Sequence, residues 1–258
     1  MFFGDFSYQQ WAGFLLVLLR TGSMVTTMPF LGSANIPMIC KAGLALSMAV
    51  LIHPAAQVGT AAYPTDLWGF APLIVGELMI GTILGFTVRL LLTAVQIMGQ
   101  LAGFQMGFAV ANVLDPMGGG QVSVLAQLCY LMAMLVMFAV GGHLVFFEAM
   151  ADSLRLVPPG HFTLTRALYD QVLDLSGQMF MLALRMGLPV IGALLFTQVG
   201  MGILAKTVPQ MNILMVGFPI TITVGLVFMT ITLLVMLPVL SHIFGGLGTL
   251  LTNLLKAM

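Results

Sequence analysis

The sequence predicts an all-α integral membrane protein with about six to seven apolar helices, several of them kinked or broken. Three observations predict it. Of the 258 residues, 60% are apolar and 6% are charged, where a soluble domain carries about 25% charged residues to clothe its surface. Mean hydropathy is +1.11. The charges that do occur leave long clean gaps: none lies between Lys41 and Asp66, Arg89 and Asp115, Asp115 and Glu148, Arg185 and Lys206, or Lys206 and Lys256. Only helices or closed barrels satisfy their backbone in hydrocarbon, and the alternation of barrel strands is absent. At ~20 residues per span, the apolar content sets a ceiling of roughly seven crossings.

The elements follow in order from those gaps. Apolar runs at 11–28, 43–62, 71–92 and 93–111 come first, and a long one at 122–150 follows. The single hydrophilic stretch, 151–176, holds Asp152, Arg155, Arg166, Asp170 and Asp174 with Pro158-Pro159-Gly160. It reads as a loop with a short amphipathic helix that separates two regions, residues 1–150 and residues 177–258. Runs at 177–204 and 213–240 complete the set, and no internal repeat is evident. Pro189, Pro219 and Pro238 lie inside apolar runs, where each removes a backbone hydrogen bond and is expected to kink or break its helix. Lys and Arg in the loops split five to one if all seven runs cross, and three to three if 93–111 does not, so orientation stays open.

Composition excludes whole classes of function. Eight basic residues balance eight acidic ones, which leaves no electrostatic footprint for nucleic acid or anionic lipid. Cys40 and Cys129 are far apart and read as small apolar residues. Asp5 precedes the first apolar run, no Lys or Arg stands before Arg20, and no A-x-A site follows, so no cleavable signal peptide is expected. His53, His143, His161 and His242 show no ligand spacing, and neither H-E-x-x-H nor G-x-S-x-G occurs. Gly200 to Lys206-Thr207 approaches a phosphate loop, but Ala205 stands where glycine must precede the lysine. Neither a catalytic set, a metal set nor a cofactor is expected.

Three sets of residues stand out instead. Arg20, Glu77, Arg89 and Arg185 fall in or beside apolar runs, where an ionised group costs at least ~2.5 kcal/mol at a helix centre and must pair, face a bundle interior or snorkel. For Glu77 a partner on another helix is expected ahead of an ion relay. Gly81 and Gly85, and then Gly99, Gly103 and Gly107, recur every fourth residue, which makes grooves for close backbone approach. Gln96 and Gln100 share the face of the second set. That face serves helix packing, subunit assembly or pore lining. The segment 107–121 breaks the helix between two apolar runs with Asn112, Asp115-Pro116, Gly118-Gly119-Gly120 and Gln121. It is either an exposed turn or a mobile element lining a cavity, since irregular backbone at membrane depth survives only where protein or a cavity covers it. The chain's 22 methionines suit either case as flexible filler.

The order and spacing of several motifs resemble the FliR family of the bacterial flagellar type III export gate and its virulence-secretion relatives. They are Pro29, Ile36-Pro37, Lys41-Ala-Gly-Leu-Ala-Leu46, Gly76-Glu-Leu-Met-Ile-Gly81, Gly99-Gln-Leu-Ala-Gly103-Phe-Gln-Met-Gly107, Asp115-Pro116, Gly142-His143, Leu188-Pro189, Val208-Pro-Gln-Met-Asn-Ile213 and Gly217-Phe-Pro219. The resemblance covers nearly the whole chain. It implies a subunit that joins copies of FliP and FliQ, beside FlhB and FlhA, in a helical channel of the inner membrane at the flagellar basal body. Secreted flagellar proteins pass through unfolded, and much of the assembly rides above the bilayer on helices bent into hairpins. It also implies that residues 1–150 are FliP-like, that 177–258 is a FliQ-like hairpin with a tail, and that the 107–121 loop plugs the closed channel. The Pro209-Gln210-Met211-Asn212 turn then marks the hairpin bend, with its amides capping helix ends or touching neighbouring subunits. Two rivals remain: a secondary transporter with discontinuous helices, which lacks an inverted repeat here, and an intramembrane enzyme, which lacks its reactive set.

Overall fold

The computed structural model describes residues 7–33, 35–55, 63–108, 123–208, 210 and 212–258, and these are helical throughout their regular elements. The helices are α1 (Tyr8–Thr27), α2 (Met38–Ile52), α3 (Leu67–Gln105), α4 (Val124–Ala139), α5 (Gly142–Leu156), α6 (Arg166–Thr207), α7 (Ile213–Gly245) and α8 (Leu247–Ala257), with a single 3-10 turn at His53–Ala55. Among the described residues there is no strand. The all-α expectation holds, and for the expected reason: an apolar backbone satisfies itself most locally as helix.

Several boundaries differ from the sequence reading. The run at 71–92 and the run at 93–111 as far as Gln105 lie in one uninterrupted 39-residue helix, α3, because they abut and no Gly or Pro stands between Gly85 and Gly99 to interrupt the register. The run at 122–150 is instead two helices, α4 and α5, bent by 67°. Gly141, at φ 79, makes the break, a left-handed conformation that glycine adopts without strain. The polar stretch 151–176 is shared between the end of α5, a link at 157–165, and the first turns of α6. Pro189 in α6 and Pro219 and Pro238 in α7 do not end their helices, and neither does Pro72 in α3.

Local chemistry fixes the ends. Asp66 accepts the Gly69 N–H at 2.8 Å and starts α3, Thr165 accepts the Leu168 N–H at 3.1 Å and starts α6, and Asn212 accepts the Met215 N–H at 3.3 Å and starts α7. Each is a side-chain oxygen on an otherwise orphaned first-turn donor. α3 stops at Gly107, φ 92, where the Phe108 N–H reaches back 3.1 Å to the Gly103 carbonyl.

Among the described residues three helical stretches are long and apolar enough to cross a membrane: Leu67–Gln105, Arg166–Thr207 and Met215–Ala257. The bent pair α4–α5 makes a fourth if it is one broken span, and α2 is apolar but shorter. At 1.5 Å per residue, α3 and α6 run to roughly 60 Å, about twice the ~30 Å hydrocarbon core. Each therefore reaches well beyond a single bilayer crossing.

The chain forms two compact units. One comprises Met1–Leu90, Gly141–Ser176 and Gly245–Met258; the other comprises Leu91–Val140 and Gly177–Phe244. In the first, α1 and the start of α3 lie side by side in the same direction. Tyr8 donates to the Pro64 carbonyl at 2.7 Å, and Thr27, at the other end of α1, donates to the Gly81 carbonyl at 3.3 Å. Gln9 ties the same end as Tyr8 through two bonds with the Tyr63 backbone. The hydroxyls of Thr163 and Thr165 hold the Met258 and Ala257 carbonyls, so α8 is anchored to the link that precedes α6. In the second unit the rest of α3 meets α4 at Gly99, and its Met98 and Met106 lie against Gly187 of α6 and Gly225 of α7; Met137, Met201, Met229 and Met236 are buried as well.

Candidate functional site

The densest polar cluster of the first unit is built on Arg20 and Glu77, both 0% exposed. Arg20 comes from the middle of α1 and Glu77 from the first half of α3. Arg20 Nε donates to Glu77 Oε2 at 2.5 Å and Nη2 donates to Oε1 at 3.0 Å, the bidentate geometry that suits guanidinium and carboxylate. The remaining amine, Nη1, donates to the Ser153 carbonyl at 2.7 Å and the Val157 carbonyl at 2.8 Å. Both belong to the C-terminal end of α5, where the Ser153 carbonyl also accepts the Val157 N–H at 3.0 Å and the Val157 carbonyl lies past the last turn. Glu77 Oε1 also accepts the Gly160 N–H at 2.8 Å, and Gly160 sits at φ 84. One ion pair thus joins α1, α3, the end of α5 and the turn after it.

Tyr63 lies beside this node, its hydroxyl 3.5 Å from the Pro159 carbonyl. Burial pushes its pKa above the ordinary tyrosine range, the Glu77 carboxylate adds to the rise, and Arg20 opposes it. His53, against the ring of Phe14 at 5.5 Å, is held below its usual value by burial. Arg89 and Arg185, grouped with Arg20 and Glu77 on sequence, are exposed instead.

The two glycine sets of α3 are both covered by protein. A Cβ on Gly81 would meet the Arg20 carbonyl at 2.7 Å and the Met24 nitrogen at 2.9 Å, and one on Gly85 would overlap Thr27. These contacts let α1 approach α3 closely enough for the ion pair to close. In the second unit a Cβ on Gly99 would meet Ala126 Cα at 2.8 Å and Cys129 Sγ at 2.9 Å, and one on Gly103 would overlap the Ser123 hydroxyl. Gln100 Oε1 accepts the Ser123 N–H at 3.2 Å, at the start of α4. Gln96 is half-buried. Of this face, Gly99, Gln100 and Gly103 meet the chain's own α4, and Gly107 meets Phe218 of α7, which a Cβ would approach to 2.7 Å.

At that end of the second unit is an open cavity of about 320 Å³, lined by Gln105, Gly107, Gln198, Met201, Phe218 and Thr221 among others. Two side-chain amides and a hydroxyl in a methionine- and glycine-walled hollow offer hydrogen bonds but no nucleophile–base pair. Among the described residues no group of three His, Cys, Asp or Glu side chains is placed to hold a metal ion.

Asn112, Asp115, Pro116, Gly118, Gly119, Gly120 and Gln121 lie outside the described residues, as do Pro209 and Met211. Of the second turn, Gln210 is exposed and Asn212 caps α7. Sequence reasoning expected a partner for Glu77 on another helix and did not name it; the structure places Arg20 of α1 there. The usable signal was that Arg20 is the lone charge of the first apolar run and opposite in sign.

Residues 11–247 match the family of bacterial export proteins, family 1. The flagellar biosynthetic protein FliR of Bacillus subtilis is 30% identical over 249 residues, 94% of each chain. That of Escherichia coli is 28% identical over 254 residues, 97% of each. That of Pectobacterium carotovorum is 29% identical over 259 residues, 99% of this chain and 98% of the relative.

Proposed function

The chain belongs to the FliR family of bacterial export proteins, and on that premise we propose that it is a non-enzymatic structural subunit of the flagellar protein export gate. In this reading it assembles with FliP and FliQ, beside FlhB and FlhA, into a channel of the inner membrane at the flagellar basal body. Unfolded flagellar proteins cross through that channel. The observation that carries the reading is the end-to-end likeness to relatives named flagellar biosynthetic protein FliR. Assembly surfaces are spread over whole helices, so a shared assembly role demands likeness along the entire chain, whereas a shared active site demands only a few positions.

The rest of the reading follows the family resemblance. Residues 1–150 are FliP-like, the polar connecting segment is 151–176, and 177–258 is a FliQ-like hairpin with a tail. Asn112, Asp115, Pro116, Gly118, Gly119, Gly120 and Gln121 help close the resting pore, and three consecutive glycines let such a segment rearrange at low conformational strain. The turn that includes Pro209, Gln210, Met211 and Asn212 contacts a neighbouring subunit beyond its capping of α7. Gln96 is the member of the α3 face best placed for the pore, since Gly99 and Gly103 are covered by α4.

Native mass spectrometry of the detergent-extracted chain, expressed with and without FliP and FliQ, tests the assignment. A defined complex of fixed stoichiometry is expected, and a chain that stays alone in the presence of both partners would overturn it. For the closing segment, deletion of residues 112–120 is expected to make the assembled complex leak small ions, and a deletion complex as tight as the parent would remove that role.

A further inference from the structure

α6 buries one side and leaves the other open. Met179, Ala183, Met186, Val190 and Leu194 are buried. On the opposite side Met181, Arg185, Leu188, Gly192, Leu195 and Val199 alternate steps of four and three, so they form one straight stripe along the helix. Met181, Leu188, Leu195 and Val199 are each more than half exposed. A Cβ added at Gly192 would meet nothing within 4 Å. Within this apolar surface stands one charge, Arg185, itself exposed.

We propose, on the export-gate reading above, that this stripe docks an apolar helix of a neighbouring gate subunit, and that Arg185 takes a buried Asp or Glu carboxylate on that helix. Charge points to it first. The nearest charges along the chain are Asp174 and Lys206, about 16 Å and about 32 Å away along the helix and beyond ion-pair reach. Among the described residues Arg185 enters no ion pair, and the second unit holds no Asp or Glu. A guanidinium on an apolar surface needs a counter-charge once that surface is covered, because an uncompensated buried charge is strongly unfavourable. Glu77 meets that need for Arg20 within the chain. For Arg185 the carboxylate comes from outside the second unit.

Shape then favours protein over lipid. Gly192 lies two turns from Arg185 on the same face, and its backbone is uncovered. Helices in apolar surroundings pack through small residues that let backbones approach, whereas a notch of this kind offers acyl chains less contact than a larger side chain would. The inner side of α6 shows the same device already in use: a Cβ on Gly187 would come within 3.4 Å of Met98 of α3.

Arg185→Lys makes the pair chemically trappable. The full-length variant is expressed with FliP and FliQ, extracted in detergent and treated with a hydrophobic carbodiimide, which condenses an amine with a carboxylate in contact with it. The expected product is an amide between residue 185 and an Asp or Glu in an apolar segment of a partner, located by peptide mass spectrometry. Arg185→Glu is expected to lower recovery of the complex at least about tenfold. The melting temperature of the lone chain should stay unchanged, since the exposed side chain has no ion pair there to lose. Changing the trapped carboxylate to Lys should restore the complex. Gly192→Leu gives a second reading if the charge variant does not fold: the lone chain should melt as before, and recovery of the complex should fall. An intact Arg185→Glu complex would overturn the proposal, and is the result expected if water or a lipid phosphate meets the guanidinium. So would a complex in which Arg185→Cys, in a Cys40→Ser background, reacts with an aqueous maleimide as fast as in the lone chain. In both cases the complex still forms, so the export-gate reading survives; a parent chain that never joins FliP and FliQ sinks both.

Discussion

The two halves of α3 use the same device to different ends. Around Gly81 and Gly85 the helix closes on α1, and around Gly99 and Gly103 it closes on α4. In both places the missing Cβ lets two backbones meet. The first contact encloses a bidentate ion pair with further backbone partners on both sides. The second encloses one amide-to-backbone bond, Gln100 to Ser123. Glycine contacts set a distance but resist sliding weakly. The Arg20 fork is directional, and it fixes the register of α1, α3 and the end of α5 at once. The first unit is therefore expected to be specified by polar geometry and the second by packing.

The largest predicted effect breaks that contrast directly. Glu77→Ala leaves the Arg20 charge buried without its carboxylate, at a cost of about 3–5 kcal/mol. Thermal unfolding in detergent should show a large loss of stability, and the pair Arg20→Met with Glu77→Leu should recover most of it. If Glu77→Ala unfolds no more easily than the parent, the ion pair does not specify the first unit.

Next in size are the glycines. Gly81→Ala forces a methyl against the α1 backbone, and overpacking of this kind costs about 1–3 kcal/mol. Gly99→Ala should fall in the same range, toward its lower end, because the Cys129 side chain is one of its two closest neighbours. Gly192→Ala, in α6 with nothing within 4 Å, should instead stabilise by about 0.5–1 kcal/mol through helix propensity. A common sign for all three would show that steric fit does not govern these positions.

Smaller again is Gln100→Ala, predicted to cost about 1 kcal/mol by freeing the Ser123 N–H. Hydrogen exchange at the start of α4 reads it locally, and unchanged protection there would show that the bond contributes little.

The smallest effect is a pH dependence from His53. Its folded pKa lies below the ordinary 6.5 because burial disfavours the charged ring. As pH falls through 6.5 the unfolded chain takes up the proton first. Stability is therefore full above that value and erodes as pH drops from it toward the folded pKa. His53→Phe should flatten the melting temperature between pH 7 and 5, and an unchanged slope would assign the dependence elsewhere.

Legibility followed the range of the physics involved. The spacing of a few charges in a long apolar chain was enough to predict helices and a membrane setting, because the penalty for an exposed backbone in hydrocarbon acts on every residue locally. Gly141-Gly142 is a readable break inside the 122–150 run, a dipeptide that favours turns, and the structure bends there. The join of the two runs in α3 had no such signal, since a length rule divided what the local sequence leaves continuous.

By itself, the sequence determined the all-α membrane class, the family resemblance and the inventory of small and charged residues, since each depends on composition or on residues within a few turns of one another. The tertiary structure alone decided which of them meet. Arg20 and Glu77 are 57 positions apart, and Ser153, Val157 and Gly160 join them from farther along the chain. Which carboxylate neutralises a buried guanidinium depends on how the helices close in three dimensions, and no periodicity along the chain encodes that.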